Sequence, residues 1–425
     1  MRLVSTGHAG RAADEAERDV STNGLRIIGA SGLQNVGDQV VNAATVLPWL
    51  LTALGAPVGL IGLLVPIRES GSLLPQAVLS PWIQRWSRRK WVWVAGAAVQ
   101  ATATVAMALV AATLEGIGAG VAILVALALF ALGRALTSIA SKDVMARTIP
   151  KGQRGQINGV STLVSGVAAV TIGLGIRLLA GDQMNVAILA FLLGGAALAW
   201  VAALLVYAGV KEPTGGTAET DADDEGWWRR SWQLLATDAP FRRFVQMRTL
   251  LLVSALSPPF LIALAAADGE ARLSGLGLFV IAQGAARMIG GRFFGRLADR
   301  SSRRLMTLGA LMASLSIIVL LALSIVPGLG ESVWLYSLGY FLLALVHTGV
   351  RVARKTYVID MGEGDQVTEY VAVSNTAMGL LLLVVGAVNA GLAVFGAEVA
   401  LAFLAGMGLI GAFVGRSLPE VGGRA

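Results

Sequence analysis

Apolar stretches of one recurring length divide the chain. They lie near residues 29–54, 57–79, 91–113, 118–140, 157–180 and 184–209. After a polar interval they resume near 246–267, 273–294, 305–327, 333–350, 371–394 and 396–415. A helix rising 1.5 Å per residue needs about 20 residues to cross ~30 Å of hydrocarbon, so each stretch has transmembrane length. Each is about twice as long as a barrel strand needs and lacks its in-out alternation, which leaves helices. The pattern predicts an all-α polytopic membrane protein with 12 transmembrane helices in two pseudo-symmetric six-helix bundles. The expected boundaries are an N-tail at 1–26, bundles at 27–209 and 246–416, a central loop at 210–245 and a C-tail at 417–425.

Composition agrees: 56% of the 425 residues are hydrophobic and 14% charged, far from the mix of a soluble domain. The first 25 residues mix both charges with small residues and lack the apolar core of a signal peptide, so a disordered tail is expected there. Of the 33 Lys and Arg residues, 28 fall in the two tails and in alternate loops. The opposite loops hold Arg272 alone, together with Glu115, Asp182, Asp268, Glu270, Glu331 and Glu398. Basic loops stay inside, so both termini are expected in the cytoplasm, in a bacterial inner membrane. The net charge of +7 reads as this topology signal, and no nucleic-acid partner is expected. With no cysteine, and His8 and His347 as the only histidines, neither a metal site nor a cofactor is expected.

The central loop carries Asp221, Asp223, Asp224 and Glu225 before Gly226-Trp227-Trp228-Arg229-Arg230-Ser231-Trp232. Tryptophans beside arginines suggest an amphipathic segment on the inner leaflet. The halves also superimpose in sequence: Arg85, Arg88 and Arg89 recur 215 positions later as Arg300, Arg303 and Arg304, and Pro48-Trp49-Leu50 matches Pro259-Phe260-Leu261. Duplicated halves are a recurring transporter design.

Between the eighth and ninth stretches stands GRLADRSSRR, Gly295 to Arg304, which resembles the signature loop of the major facilitator superfamily, Gly-x-Leu-Ala-Asp-Arg-x-x-Arg-Arg. The equivalent place in the first half holds SPWIQRWSRRK, Ser80 to Lys90, with Ser80 for the glycine and Gln84 for the aspartate. The resemblance implies two bundles that rock about a midplane site. It also suggests a conformational latch, in which Gly295 permits close helix approach, Asp299 faces a helix amino terminus of the other half, and Arg300, Arg303 and Arg304 hold that aspartate or lipid phosphates. Arg85, Arg88 and Arg89 would form the weaker first-half copy. The plainer alternative is that these arginines only set topology.

Ionisable residues inside a membrane are costly and usually functional. Arg68 and Glu69 stand mid-way along the second stretch, Glu69 being a proton-coupling candidate or half of a packing ion pair. Arg134 in the fourth stretch heads RALTSIAS and resembles the superfamily's fourth-helix arginine motif; its repeat-mate in the tenth is His347. Either lines the cavity, or Arg134 reaches the headgroups and His347 packs between helices. Gln283 and Arg287 occupy the repeat positions of Arg68 and Ser72. Asp38, near the start of the first stretch, is a cavity carboxylate, a gate partner or a helix-end charge. The fifth stretch lacks the Gly-Pro pair of the family's antiporter signature, so drug efflux has no direct support.

These readings converge on a monomeric secondary transporter of a small solute, with protons a candidate coupling ion, lipid as surroundings, and a tilt toward an organic anion or polar metabolite. The alternatives are a multidrug exporter and a non-transporting membrane sensor or assembly factor. No nucleophile elbow, phosphate loop or metal pair points to an enzyme.

Overall fold

The computed structural model describes residues 3–75, 79, 82–83, 85–150, 154–179, 186–214, 224–267, 273–328, 330, 332–361 and 365–421. Among them every regular element is a helix. The first half contains α1 (Leu3–Val40), α2 (Val46–Ala53), α3 (Val58–Gly62), α4 (Leu64–Leu73), α5 (Lys90–Thr113), α6 (Gly116–Thr148), α7 (Arg154–Leu179) and α8 (Val186–Ala208). After α9 (Asp224–Thr237) come α10 (Ala239–Leu250), α11 (Val253–Leu256), α12 (Pro258–Ala267), α13 (Leu273–Ser324), α14 (Val333–Asp360), α15 (Asp365–Leu392) and α16 (Ala397–Val414).

Eight helical stretches are long and apolar enough to cross a membrane, and Gly166–Ile176 and Gly275–Gly290 add shorter apolar cores. The other two expected spans are broken, into α1 with α2 and α3 with α4. This order is compatible with twelve passages, and the chain is an integral membrane protein. Leu178, Phe191, Ile325 and Phe413 are exposed, as side chains facing lipid should be.

The breaks have local causes. The Asn42 side chain accepts from the Ala44 amide at 2.9 Å, a turn that competes with the helix. Pro48 supplies no N–H to the Ala44 carbonyl four residues back. In the second half Pro258 and Pro259 free the carbonyls of Ser254 and Ala255 in the same way, between α11 and α12. Extended backbone at Ser301 (φ −164°, ψ 99°) splits α13, so the signature loop lies across a helix-to-helix corner.

One feature differs from the expectation. α1 begins at Leu3, where a disordered tail was expected; Ala9, Ala12, Ala13 and Ala16 favour helix, and Asp14 precedes Arg18 by one turn. A helix, α9, fills the expected amphipathic segment, with Trp232 exposed. It hands over to α10 through Asp238, whose carboxylate accepts from the Phe241 amide at 2.9 Å and the Tyr370 hydroxyl at 2.5 Å.

Helices α1 and α4 to α8 pack on one another, as do α10 to α16. Aromatic side chains fill the first core: Trp93 stacks on Tyr207 at 3.9 Å, and Phe130 meets Trp200 edge-on at 5.7 Å. The halves touch along α4 with α15, α7 with α13, and α2 with α12. Small residues allow this approach. A Cβ at Gly379 would stand 2.8 Å from Leu74 Cγ, one at Gly62 would stand 2.8 Å from Phe260 Cζ, and one at Gly386 would enter the Pro66 ring. Ser70, on α4, donates to the Gly379 carbonyl at 2.7 Å across the seam.

Candidate functional site

A cavity of about 1060 Å³ lies between the halves. Its walls run from Asn42 and Ala44 at the α1 break to Ile27, Met145 and Val352. Those last residues lie toward the end of the bundle where Lys211, after α8, meets Asp19 at 2.7 Å; this is the termini end. The opposite end is shut by Trp49, Phe260 and Phe279, all fully buried, with Trp49 and Phe279 6.2 Å apart between ring centres.

Asp38 is the electrostatic centre of the cavity. Its Oδ1 accepts from Arg68 Nη2 at 3.0 Å and its Oδ2 from Arg134 Nη1 at 2.5 Å. The Asp38 side chain is 12% exposed. Asp38 lies in the last turn of α1, yet deep beside Arg68 and largely out of water. It takes the place beside Arg68 that the sequence offered to Glu69, whose Oε1 stands 3.6 Å from Arg68 Nη1 and whose side chain is 49% exposed into the cavity. Arg68 also lies 5.7 Å from the centre of the Phe130 ring and keeps a buried Nε–H with no acceptor among the described residues. Arg134 turns to Asp38 and not to the headgroups.

Gln283 and Arg287 both line the cavity. Gln283 closes a ring of hydrogen bonds between the halves. Asn42 Nδ2 donates to Gln283 Oε1 at 2.8 Å, Gln283 Nε2 donates to the Tyr340 hydroxyl at 3.1 Å, and that hydroxyl donates to the Ala44 carbonyl at 3.3 Å. The acceptor is the carbonyl that Pro48 left free. Arg68 thus reaches Asp38 in the last turn of α1, and its repeat-mate Gln283 reaches Asn42, two residues past the end of that helix.

The ring forms the cavity's floor beneath the apolar closure. Tyr340→Phe leaves a buried carbonyl and amide unpaired, which costs about 1–3 kcal/mol in this conformation only. Since the chain has no native cysteine, a single Cys at buried Leu47 reports opening directly. Its labelling from the far side is expected to rise in Tyr340→Phe, and unchanged labelling would remove the ring from the gate.

His347 is not among the cavity residues; its Nδ1 lies 3.2 Å from Ser254 Oγ. In its stead Arg351, one turn further along α14, lines the wall. Arg351 and Arg248 both belong to the 28 basic residues counted above with the tails and alternate loops. Arg248 is buried in α10, bonded to Ser374 Oγ at 2.7 Å and Asn375 Oδ1 at 3.3 Å. Arg287 lies within electrostatic reach of Arg351, Arg68 and Asp38. Among the described residues, neither Arg287 nor Arg351 has a carboxylate partner.

The signature-loop residues pair inside their own halves. Arg89 binds Asp143 at 2.8 Å, and Glu212, past the end of α8, accepts from the Lys90 amide at 2.8 Å and faces Arg147 at 3.7 Å. Correspondingly Arg303 binds Glu420, past α16, at 2.9 Å, and Ser301 donates to the same carboxylate at 2.6 Å. Sequence reasoning missed Asp143, Glu212 and Glu420; the parallel placement of the two glutamates after the sixth and twelfth stretches was the available signal. Arg85, Arg88, Arg300 and Arg304 are exposed. No described residue comes within 4 Å of a Cβ placed at Gly295. The Asp299 side chain and the whole of Gln84 lie outside the described residues. No group of His, Asp and Glu that would hold a metal occurs among the described residues.

Solved transporters share this fold. A D-xylose-proton symporter matches with a TM-score of 0.70 at 14% identity, over 95% of this chain and 99% of that one. A peptide transporter in complex with sulfate gives 0.69 at 14%, over 93% and 94%, and a nucleoside transporter gives 0.65 at 12%, over 93% and 98%. No curated protein sequence matches the chain. The model of the Major Facilitator Superfamily matches residues 30–267. With more than half its length covered by that match, and with a polar cavity between two packed halves, this chain belongs to the major facilitator superfamily and is a transporter in architecture, not an enzyme.

Proposed function

We propose that the protein is a secondary transporter of a small organic anion, one bearing a carboxylate or phosphate. The observation that carries this is an imbalance of charge. Four arginines face one cavity, Arg68, Arg134, Arg287 and Arg351, against Asp38 and Glu69. Asp38 is already held by two of them, so Arg287 and Arg351 are left for a ligand, and forked guanidinium groups suit carboxylate and phosphate oxygens. The surrounding Gln34, Asn35, Gln39 and Thr137 give a hydrogen-bonding wall that fits a polar solute better than a greasy drug.

Glu69 is the proposed coupling carboxylate, since it is the acid most open to the cavity and only loosely held by Arg68. Two six-helix bundles would rock about this site in a bacterial inner membrane, with twelve passages and both termini cytoplasmic. The termini end is then the inner side and the present cavity faces inward. A monomer suffices, because the cavity is formed within one chain.

The test is uptake into proteoliposomes of a panel of organic anions, sugars and cationic dyes, with and without a pH gradient. Anion flux driven by the gradient is expected, and Glu69→Gln should abolish the drive while leaving exchange of substrate between the two sides. Dye flux in place of anion flux would favour the exporter, and silence over the whole panel a sensor.

A further inference from the structure

A second hollow, of about 490 Å³, lies away from the cavity, on the outer face of the bundle between the second helix of α13 and the end of α16. Its composition changes along its length. At the termini end it is walled by Arg303, Arg304 and Arg416, and deeper by Leu308, Leu311, Leu409 and Phe413. Arg304, Leu308 and Leu311 follow one another at one-turn intervals along α13. Phe413 and Leu409 do the same on α16, leading away from Arg416, which lies just beyond that helix. The antiparallel helices therefore place both basic heads at one level and both apolar trails at another.

The three guanidinium groups are not equivalent. Arg303 is committed to Glu420 and to the Leu418 carbonyl. Arg304 and Arg416 are exposed, and their guanidinium groups have no partner among the described residues. Leu308 is 53% exposed and Phe413 76%, so the groove opens sideways, where lipid lies. Arg304 stands near the start of one membrane-length stretch and Arg416 at the end of another, the depth of phospholipid headgroups.

We infer that this groove is a binding site for an anionic phospholipid, with its phosphate between Arg304 and Arg416 and an acyl chain along Leu308, Leu311, Leu409 and Phe413. Two uncompensated guanidiniums favour an anionic over a zwitterionic headgroup. The apolar trail distinguishes a lipid from free phosphate, which would gain nothing from it. The site shares no residue with the transport cavity, and its occupant touches the corner where Ser301, Arg303 and Glu420 tie α13 to the segment after α16.

The experiment is native mass spectrometry of the full chain extracted from vesicles of mixed phosphatidylcholine and phosphatidylglycerol. The wild type should keep phosphatidylglycerol in preference to phosphatidylcholine, and Arg304→Gln with Arg416→Gln should lower that retention about 30-fold. Leu409→Trp, which fills the trail at a lipid-facing position and leaves both arginines, should lower it too, and serves if the double variant fails to fold. Retention that is equal for both lipids, or unchanged in these variants, would overturn the assignment. So would release of the bound lipid by millimolar inorganic phosphate, which would mark the arginines as a plain phosphate site.

Discussion

Asp38→Asn is expected to melt several degrees below the wild type and to lose transport. Removing one member of a buried ion cluster costs about 3–5 kcal/mol, because the remaining charge is left without compensation. Here Arg68, left with Glu69 at 3.6 Å, and Arg134 would face each other across a neutral amide. Arg134 is 32% exposed, so cavity water relieves part of the repulsion and the lower end of that range, about 3 kcal/mol, is the better expectation. Pairing Asp38→Asn with Arg134→Gln should recover much of the stability, though not transport, since one cation is then gone. Thermal unfolding in detergent followed by uptake in proteoliposomes separates the two effects. A melting temperature indistinguishable from wild type would show that the triad does not hold the helices together.

Arg287→Gln is expected to weaken anion uptake by roughly 10- to 100-fold, the equivalent of one charge-assisted hydrogen bond of about 1.5–3 kcal/mol. Little stability should be lost, because Arg287 has no acidic partner to abandon among the described residues. Arg287→Lys keeps the charge but not the fork, and an intermediate rate is expected. If Arg351 grips the same anion, the double variant will fall short of the product of the two single effects. Uptake that survives Arg287→Gln with an unchanged apparent affinity would refute the anion reading, whatever the fold.

Much of this molecule was legible from its residues because lipid demands long apolar runs, and runs of that length are hard to imitate by chance. Arg68, Glu69 and Arg134 stood out as charges in such runs, and the repeat pointed to Gln283 and Arg287. What escaped were charges near the ends of runs. Arg248 and Arg351 sit where hydropathy falls, and hydropathy alone cannot tell a loop from a helix that continues past its apolar portion; Asp38, at a similar place, was named but with its role left open. Partnerships such as Arg89 with Asp143, or Arg303 with Glu420, belong to packing between segments far apart in sequence. His347, matched by the repeat to Arg134, follows the packing alternative: its ring lies 3.2 Å from Ser254 Oγ.

The glycine-lined crossing of α4 and α15 limits what the two halves can do. With Pro66 seated where Gly386 would carry a side chain, and Leu74 against Gly379, there is no slack for the bundles to press closer along that line. In the proposed rocking that line would serve as a fulcrum, so that whatever shuts one mouth would widen the other by leverage.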